Sequence, residues 1–265
     1  MSRFAPADLT FQRCQIRKID RAHSGPWFSV QGGYPFSERL QLGGNYTWSQ
    51  TEGNVTAEER GSGPVTERGP DYYPEFTRFA QNNPAGFLRS DQTHKVRAWG
   101  TLAIPTAAGH FVLSALHRFD SGTAYSAPGT VNFVASSRFE YAKANGYAGV
   151  PSTIDYYFSD RGQYRWDDVH STDLSLNYRI RLAGRAELFV QPEIINVFNN
   201  DAVFAGHTSV FTFDNDKTLQ PFNPFTETPV EGVHYRLHEE FGQDRDNYLD
   251  FQQARTYRVS VGIRF

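Results

Sequence analysis

Residues 171–182, STDLSLNYRIRL, alternate without a break. Leu174, Leu176, Tyr178, Ile180 and Leu182 fall on one side, Asp173, Ser175, Asn177, Arg179 and Arg181 on the other. A period of two puts every second side chain on one face of a strand, and it does not fit a helix, whose faces repeat every 3.6 residues. The same pattern recurs in WFSVQGGYPF (27–36), LQLGGNYTW (40–48), KVRAWGTLAI (95–104), AELFVQPEIINVF (186–198) and RTYRVSVGIRF (255–265), and less cleanly in HFVLSALHRF (110–119). The last segment sets Tyr257, Val259, Val261, Ile263 and Phe265 against Arg258, Ser260, Gly262 and Arg264. Seven such segments of roughly 10 residues predict an all-β chain.

The connections sort these segments into pairs. PFSER, PTAAGH and LAGRA are turn-type sequences that join partners tightly. Between pairs lie residues 51–92, 121–169 and 199–254, polar stretches of about 40 to 55 residues, lengths that are uncommon for loops of compact soluble domains. Short turns on one side and long loops on the other describe an outer-membrane barrel, whose tilted strands cross the bilayer core in roughly 10 residues. Composition agrees. Phe (22), Tyr (14) and Gly (22) are frequent, yet mean hydropathy is low, as it is when lumen-facing polar residues alternate with lipid-facing apolar ones. A soluble β-sandwich also alternates, because one face of each sheet is wet. The aromatic ends of the apolar faces favour the barrel: Tyr34, Phe36, Tyr46, Trp48 and Tyr178 suit interfacial girdles. Lys95, Arg97, Arg179, Arg181, Arg258 and Arg264 then face the lumen, since a cation on the lipid face costs ~2–4 kcal/mol at midplane. The expected fold is an antiparallel transmembrane β-barrel segment of about seven or eight strands, a partial barrel with short periplasmic turns and long extracellular loops.

Other classes find little support. A net charge of −3 leaves no electrostatic footprint for nucleic acid. The single cysteine, Cys14, permits no disulfide within the chain. No stretch approaches the ~18 apolar residues of a membrane helix. His234 and His238 stand four apart with Glu239 alongside, but the zincin order is absent and a solvated loop is the better reading. The carboxylates of DNDK (214–217) and DRDNYLD (244–250) lack the spacing and glycine of a calcium loop. No catalytic, cofactor-binding or metal-ligating residue is assigned, and no cofactor is expected.

Several segments in sequence order are similar to one family. LGGNYTWSQTEGN (42–54) resembles a strand-to-loop junction of TonB-dependent outer-membrane receptors. DQTHKVRAWGTLAIP, SALHRFDSGTAYSA and ELFVQPEIINVFNN resemble later strands, and FNPFTETPVEGVHYRL with FGQDRDNYLDFQQARTYRVSVGIRF looks like the last loop and strand of the Oar-like subgroup. The resemblance spans residues 27–265. It implies the C-terminal barrel portion of a receptor whose intact form has about 22 strands, a plug and a TonB box, and takes up a bulky nutrient such as a siderophore, peptide or glycan. Neither plug nor TonB box is visible here, so the TonB complex is expected only through an absent N-terminal part. The expected partners are outer-membrane lipid and the barrel assembly machinery, and the expected location is the outer membrane of a Gram-negative cell. Tyr257, Val259, Val261, Ile263 and Phe265 resemble the assembly signal, which β-augmentation would read through an edge strand. The alternative is a small free-standing outer-membrane barrel with a structural or adhesive role. Seven is odd where a bacterial barrel needs an even number, so either a strand is missing or Leu9–Lys18 (LTFQRCQIRK), whose apolar spacing is irregular, supplies it. Residues 1–22 are expected to be a non-native or disordered start, and 23–265 the barrel portion.

Overall fold

The computed structural model describes residues 10–12, 26–53, 84–107, 109–132, 140, 144, 153–182, 186–224 and 226–264. Its main body is one eight-stranded antiparallel sheet. The strands are β1 (Thr10–Gln12), β2 (Trp27–Pro35), β3 (Leu40–Ser49), β4 (His94–Thr106), β5 (Gly109–Asp120), β6 (Val169–Arg181), β7 (Glu187–Ile195) and β8 (Thr256–Arg264). They pair strictly in chain order, as a meander does. β1 is the eighth strand and lies within the segment weighed for that role, with Phe11 opposite Val30. β1 and β8 each pair on one side only, so the sheet is not closed into a barrel among the described residues. Among the described residues, no helix is long and apolar enough to cross a membrane.

The three short connections lie at one end of the sheet. Pro35 faces Gln41, Thr106 faces Gly109, and Arg181 faces Glu187. At the first, the Ser37 hydroxyl accepts from the Arg39 and Leu40 amides at 3.2 and 3.0 Å. At the second, Gly109 has φ +145°, and a Cβ there would meet the Arg179 carbonyl at 2.5 Å, so only glycine fits.

Register fuses the separate apolar stripes into one surface. Phe28 faces Trp48, and Val30 faces Tyr46. Tyr46 in turn faces Val96. Leu102 faces Leu113, which faces Leu176. Tyr178 faces Phe111 and Val190, and Val190 faces Val261. A slip of one residue at any seam would break this continuity, because it turns a whole strand over. Aromatic groups mark both ends of the surface. Phe111 and Tyr178 stack at 4.4 Å, and Tyr34 meets Phe36 at 6.0 Å, near the short turns. Phe28 lies 5.6 Å from Tyr46 and 5.9 Å from Trp48 at the other end.

The opposite face carries the charges, and they pair across strands. Arg97 holds Asp120 with two bonds of 2.9 Å, and Arg118 holds Asp173 at 2.9 Å. Asn177 donates to Gln191, Gln191 to Glu193, and Arg258 to Glu193, linking β6, β7 and β8. Two rings on this face lie over directly opposed glycines: Trp99 over Gly43 and Phe189 over Gly262, where a Cβ would come within 2.6 Å. A hollow of about 470 Å³ sits here, bounded by Trp99, Ser114, Asp173, Ser175, Glu193 and Arg258. The polar face is therefore the hollowed one.

The buried core is elsewhere. Leu88, Ala124, Ala127, Val131, Tyr156, Val210, Leu219 and Phe222 are buried, and all lie outside the eight strands. Within the sheet, Leu113, Val259 and Val261 stay 41%, 65% and 64% exposed. Among the described residues, no other strand packs extensively on either face of the sheet, as the second layer of a sandwich would. Each fully buried Leu or Val contributes about 1.5–3 kcal/mol, a gain the sheet does not collect from the other described strands.

The long connections, read from sequence only as polar loops, form a module around that core. Four small ribbons build it: Glu52–Gly53 with Gly86–Phe87, Ala124–Tyr125 with Tyr164–Arg165, Pro128–Asn132 with Thr153–Tyr157, and Val210–Thr212 with Tyr235–Leu237. The Thr212 hydroxyl donates to the Thr130 carbonyl, and the Asn132 amide to Asp214, joining two ribbons from different loops.

Candidate ligand-binding site at the loop end

A cavity of about 440 Å³ opens within the loop module. Phe87 and Arg89 come from the β3–β4 connection, Tyr125, Tyr157, Arg161 and Trp166 from β5–β6, and Gly206 and Arg245 from β7–β8. All three long loops thus converge on one space. Among the described residues its wall offers three guanidinium groups and four aromatic rings, and no carboxylate lines it.

Each group is held in place. Tyr125 stacks on Trp166 at 4.1 Å and 22°, with Tyr164 at 5.3 Å on the same cluster. Burial, then the neighbouring Tyr164 and Asp167, push the Tyr125 phenol above its ordinary value, so it stays a neutral hydrogen-bonding group. Arg161 is only 6% exposed, donates to the Pro84 carbonyl at 3.4 Å and lies over the Tyr157 ring. Arg245 grips the buried Asp250 through Nε at 2.9 Å and Nη2 at 2.5 Å. That hydrogen-bonded pair holds the Asp250 carboxyl below, and the Arg245 guanidinium above, its ordinary range. Gly162, at φ +67°, presses on Phe87 and has no room for a side chain.

The acidic clusters noticed in the sequence brace the β7–β8 loop from within, and Asp214 ties it to the β5–β6 loop through the Asn132 amide. Asp216 accepts from the Thr218 hydroxyl at 2.6 Å and from Arg236 Nε at 2.7 Å, and these bonds, that from Thr218 first, bring its carboxyl to about 2. A lowered carboxyl favours the folded chain above its ordinary value of 3.8, and the benefit is lost as pH falls through about 2. In a carboxyl-resolved NMR titration Asp216 is expected to titrate near that value. Arg236→Gln should move it toward the ordinary one, and an unshifted midpoint would remove Arg236 as a cause.

The sequence-assigned residues lie in two places on the sheet, away from this cavity. Tyr34, Tyr46, Trp48 and Tyr178 share the apolar face with Tyr257, Val259, Val261 and Ile263, and Phe36 directly follows β2. Phe265 lies outside the described residues. Lys95, Arg97, Arg179, Arg181, Arg258 and Arg264 are all on the polar face. Arg97, Arg181 and Arg258 form ion pairs with Asp120, Glu187 and Glu193 of adjacent strands. His234 and His238 separate: His234 Nδ1 accepts from the Val230 amide, while His238 stacks on His207. Sequence reading missed the cavity residues because they come from three aperiodic loops. The one local signal was RGQYRW (161–166), arginine and aromatics crowded together.

No family model matches the chain, and no curated protein or solved structure matches it.

Proposed function

We propose that the chain is the C-terminal barrel portion of a TonB-dependent outer-membrane receptor of the Oar-like kind, whose extracellular loops bind a bulky nutrient. The observation that carries this reading is the sheet with one continuous apolar face, half-buried to exposed and with no residue of the core on it, and its charges confined to the other. Lipid covers the apolar face at no cost in backbone hydrogen bonds, except at the two edges, which further barrel strands would pair. The loop-end cavity is where the nutrient docks, between arginines and aromatic rings. The last strand is the segment that the assembly machinery recognises, through its open edge and alternate side chains. A free-standing outer-membrane barrel is the second reading, favoured by the count of eight strands, the smallest even number that closes.

Spin labels test the membrane assignment. Cysteines at Leu113, Ser114, Ser175 and Leu176, with Cys14→Ser, would be labelled after the chain, joined to the further strands that the reading requires, is refolded into vesicles. Oxygen, which concentrates in lipid, is expected to reach positions 113 and 176. A water-soluble nickel complex should reach 114 and 175. Equal accessibility of all four to the nickel complex would discard lipid as the cover.

A further inference from the structure

We propose a divalent transition-metal site, of the kind that takes Zn²⁺, formed by His207, His238 and Glu240. The segments that carry them run side by side. The His207 amide donates to the Gln243 carbonyl at 2.9 Å, the Gly242 amide to the His207 carbonyl at 2.8 Å, and the His238 amide to the Ser209 carbonyl at 3.1 Å. These bonds fix both backbones, so the side chains meet without a helix or a sequence motif. The two imidazoles are stacked, their centres 4.1 Å apart and their planes 6° from parallel, so the donor nitrogens are close but one ring must tilt before both lone pairs meet one ion. His207 Nε2 is 3.4 Å from Glu240 Oε2. One donor atom from each of the three residues falls within 4.8 Å of the others.

The donor set selects the class of ion. Two imidazole nitrogens and one carboxylate oxygen suit Zn²⁺ and its neighbours, whereas Ca²⁺ and Mg²⁺ want oxygen throughout. Three protein ligands leave a fourth tetrahedral position for water or a bound molecule. Ligand atoms about 2.0–2.1 Å from a tetrahedral zinc stand roughly 3.3 Å apart, so the cluster must contract and the His207 ring must tilt out of the stack. Glu240, with its side chain 58% exposed, is free to swing inward. His238 must give something up. Its Nδ1 accepts from the Glu240 amide at 3.1 Å. A metal on Nδ1 takes that lone pair, and a metal on Nε2 leaves the proton on Nδ1. Either way the Glu240 amide loses its acceptor, which gives binding a local signature. Phe211 stacks near His238 at 5.8 Å, limiting how far that ring can turn.

The position matters as well. His207 sits between Gly206 and Thr208, both of which line the loop-end cavity. An ion at this cluster would pin that wall to the segment 238–240. The site lies wholly in the loop module, so it stands or falls apart from the membrane assignment.

The test uses the full chain without a polyhistidine extension, refolded in detergent and titrated with Zn²⁺ by calorimetry and with Co²⁺ by visible absorption. One saturating ion per chain is expected, with tetrahedral Co²⁺ bands and a shifted Glu240 amide resonance. His207→Ala and His238→Ala should each weaken binding ~10–100-fold or more, and Glu240→Gln, at an exposed position that folding does not need, by about 10-fold. His234→Ala, four residues from His238 but outside the cluster, should bind as the parent does. Absence of saturable binding would overturn the proposal. So would binding that survives both His207→Ala and Glu240→Gln, or that is lost equally in His234→Ala.

Discussion

In the barrel that the proposed further strands complete, replacing Leu113 by arginine is expected to prevent stable insertion into vesicles, while Ser114→Arg, one residue away, leaves it nearly intact. Leu113 lies opposite both Leu102 and Leu176, in the middle of the apolar face. A guanidinium there costs ~2–4 kcal/mol at the bilayer midplane, a loss of roughly 30-fold or more in the inserted fraction. Ser114 faces Thr101 and Ser175 and borders the hollow on the polar side, where an added arginine has room and water. The measurement is the heat-modifiable, protease-resistant fraction after refolding into vesicles, followed by urea titration of the inserted material. Indistinguishable behaviour of the two variants would contradict a lipid cover for this face, since the face is all that separates them.

The loop module should be as sensitive at Asp91. This carboxylate is fully buried. It accepts from the Thr51 amide at 2.6 Å and the Thr93 hydroxyl at 3.1 Å, and it pairs with Arg165 Nη2 at 2.6 Å. One side chain thus joins the exit of β3, the entry to β4 and the loop before β6. Asp91→Ala leaves the Thr51 amide without its acceptor and the Arg165 guanidinium without its carboxylate, at a cost of about 3 kcal/mol. Arg165 also lies over the Phe87 ring, so the damage reaches the cavity wall. We expect faster amide exchange and proteolysis throughout residues 84–93, 121–132 and 153–168, with the strands still protected. Asp91→Asn, which keeps one acceptor oxygen, should fall between. A variant with unchanged exchange in both loops would mean that Asp91 is not the joint described.

The sheet was readable in advance because burial in a strand repeats every second residue, and seven segments carry that repeat. Residues 174–182 are so regular that only a strand accommodates them. Their ends were harder. AELFVQPEIINVF alternates far enough to suggest a strand through Phe198, yet β7 stops at Ile195. Asn196 turns to φ 53°, and its side-chain amide donates to the Asn200 and Gln253 carbonyls, contacts that no local pattern announces. The loops were opaque for a related reason. Their core rests on Tyr156, Phe222 and Val210, which come together from distant segments with no period. The histidines illustrate this most simply. A spacing of four invites a helical pairing of His234 with His238, but the chain between them is the ribbon strand Tyr235–Leu237, and the true neighbour is His207.

The division between a cored loop module and a coreless sheet means that, on the proposed reading, the molecule answers to two solvents. Water drives the loops to close on Leu88, Val131 and Phe222, and it does so whether or not a bilayer is near. The sheet has nothing to gain until hydrocarbon meets its apolar side. Urea and detergent extraction should therefore act on different parts of the same chain: urea loosening the loops first, loss of lipid loosening the strands. A single melting temperature would be an average over two events that need not coincide.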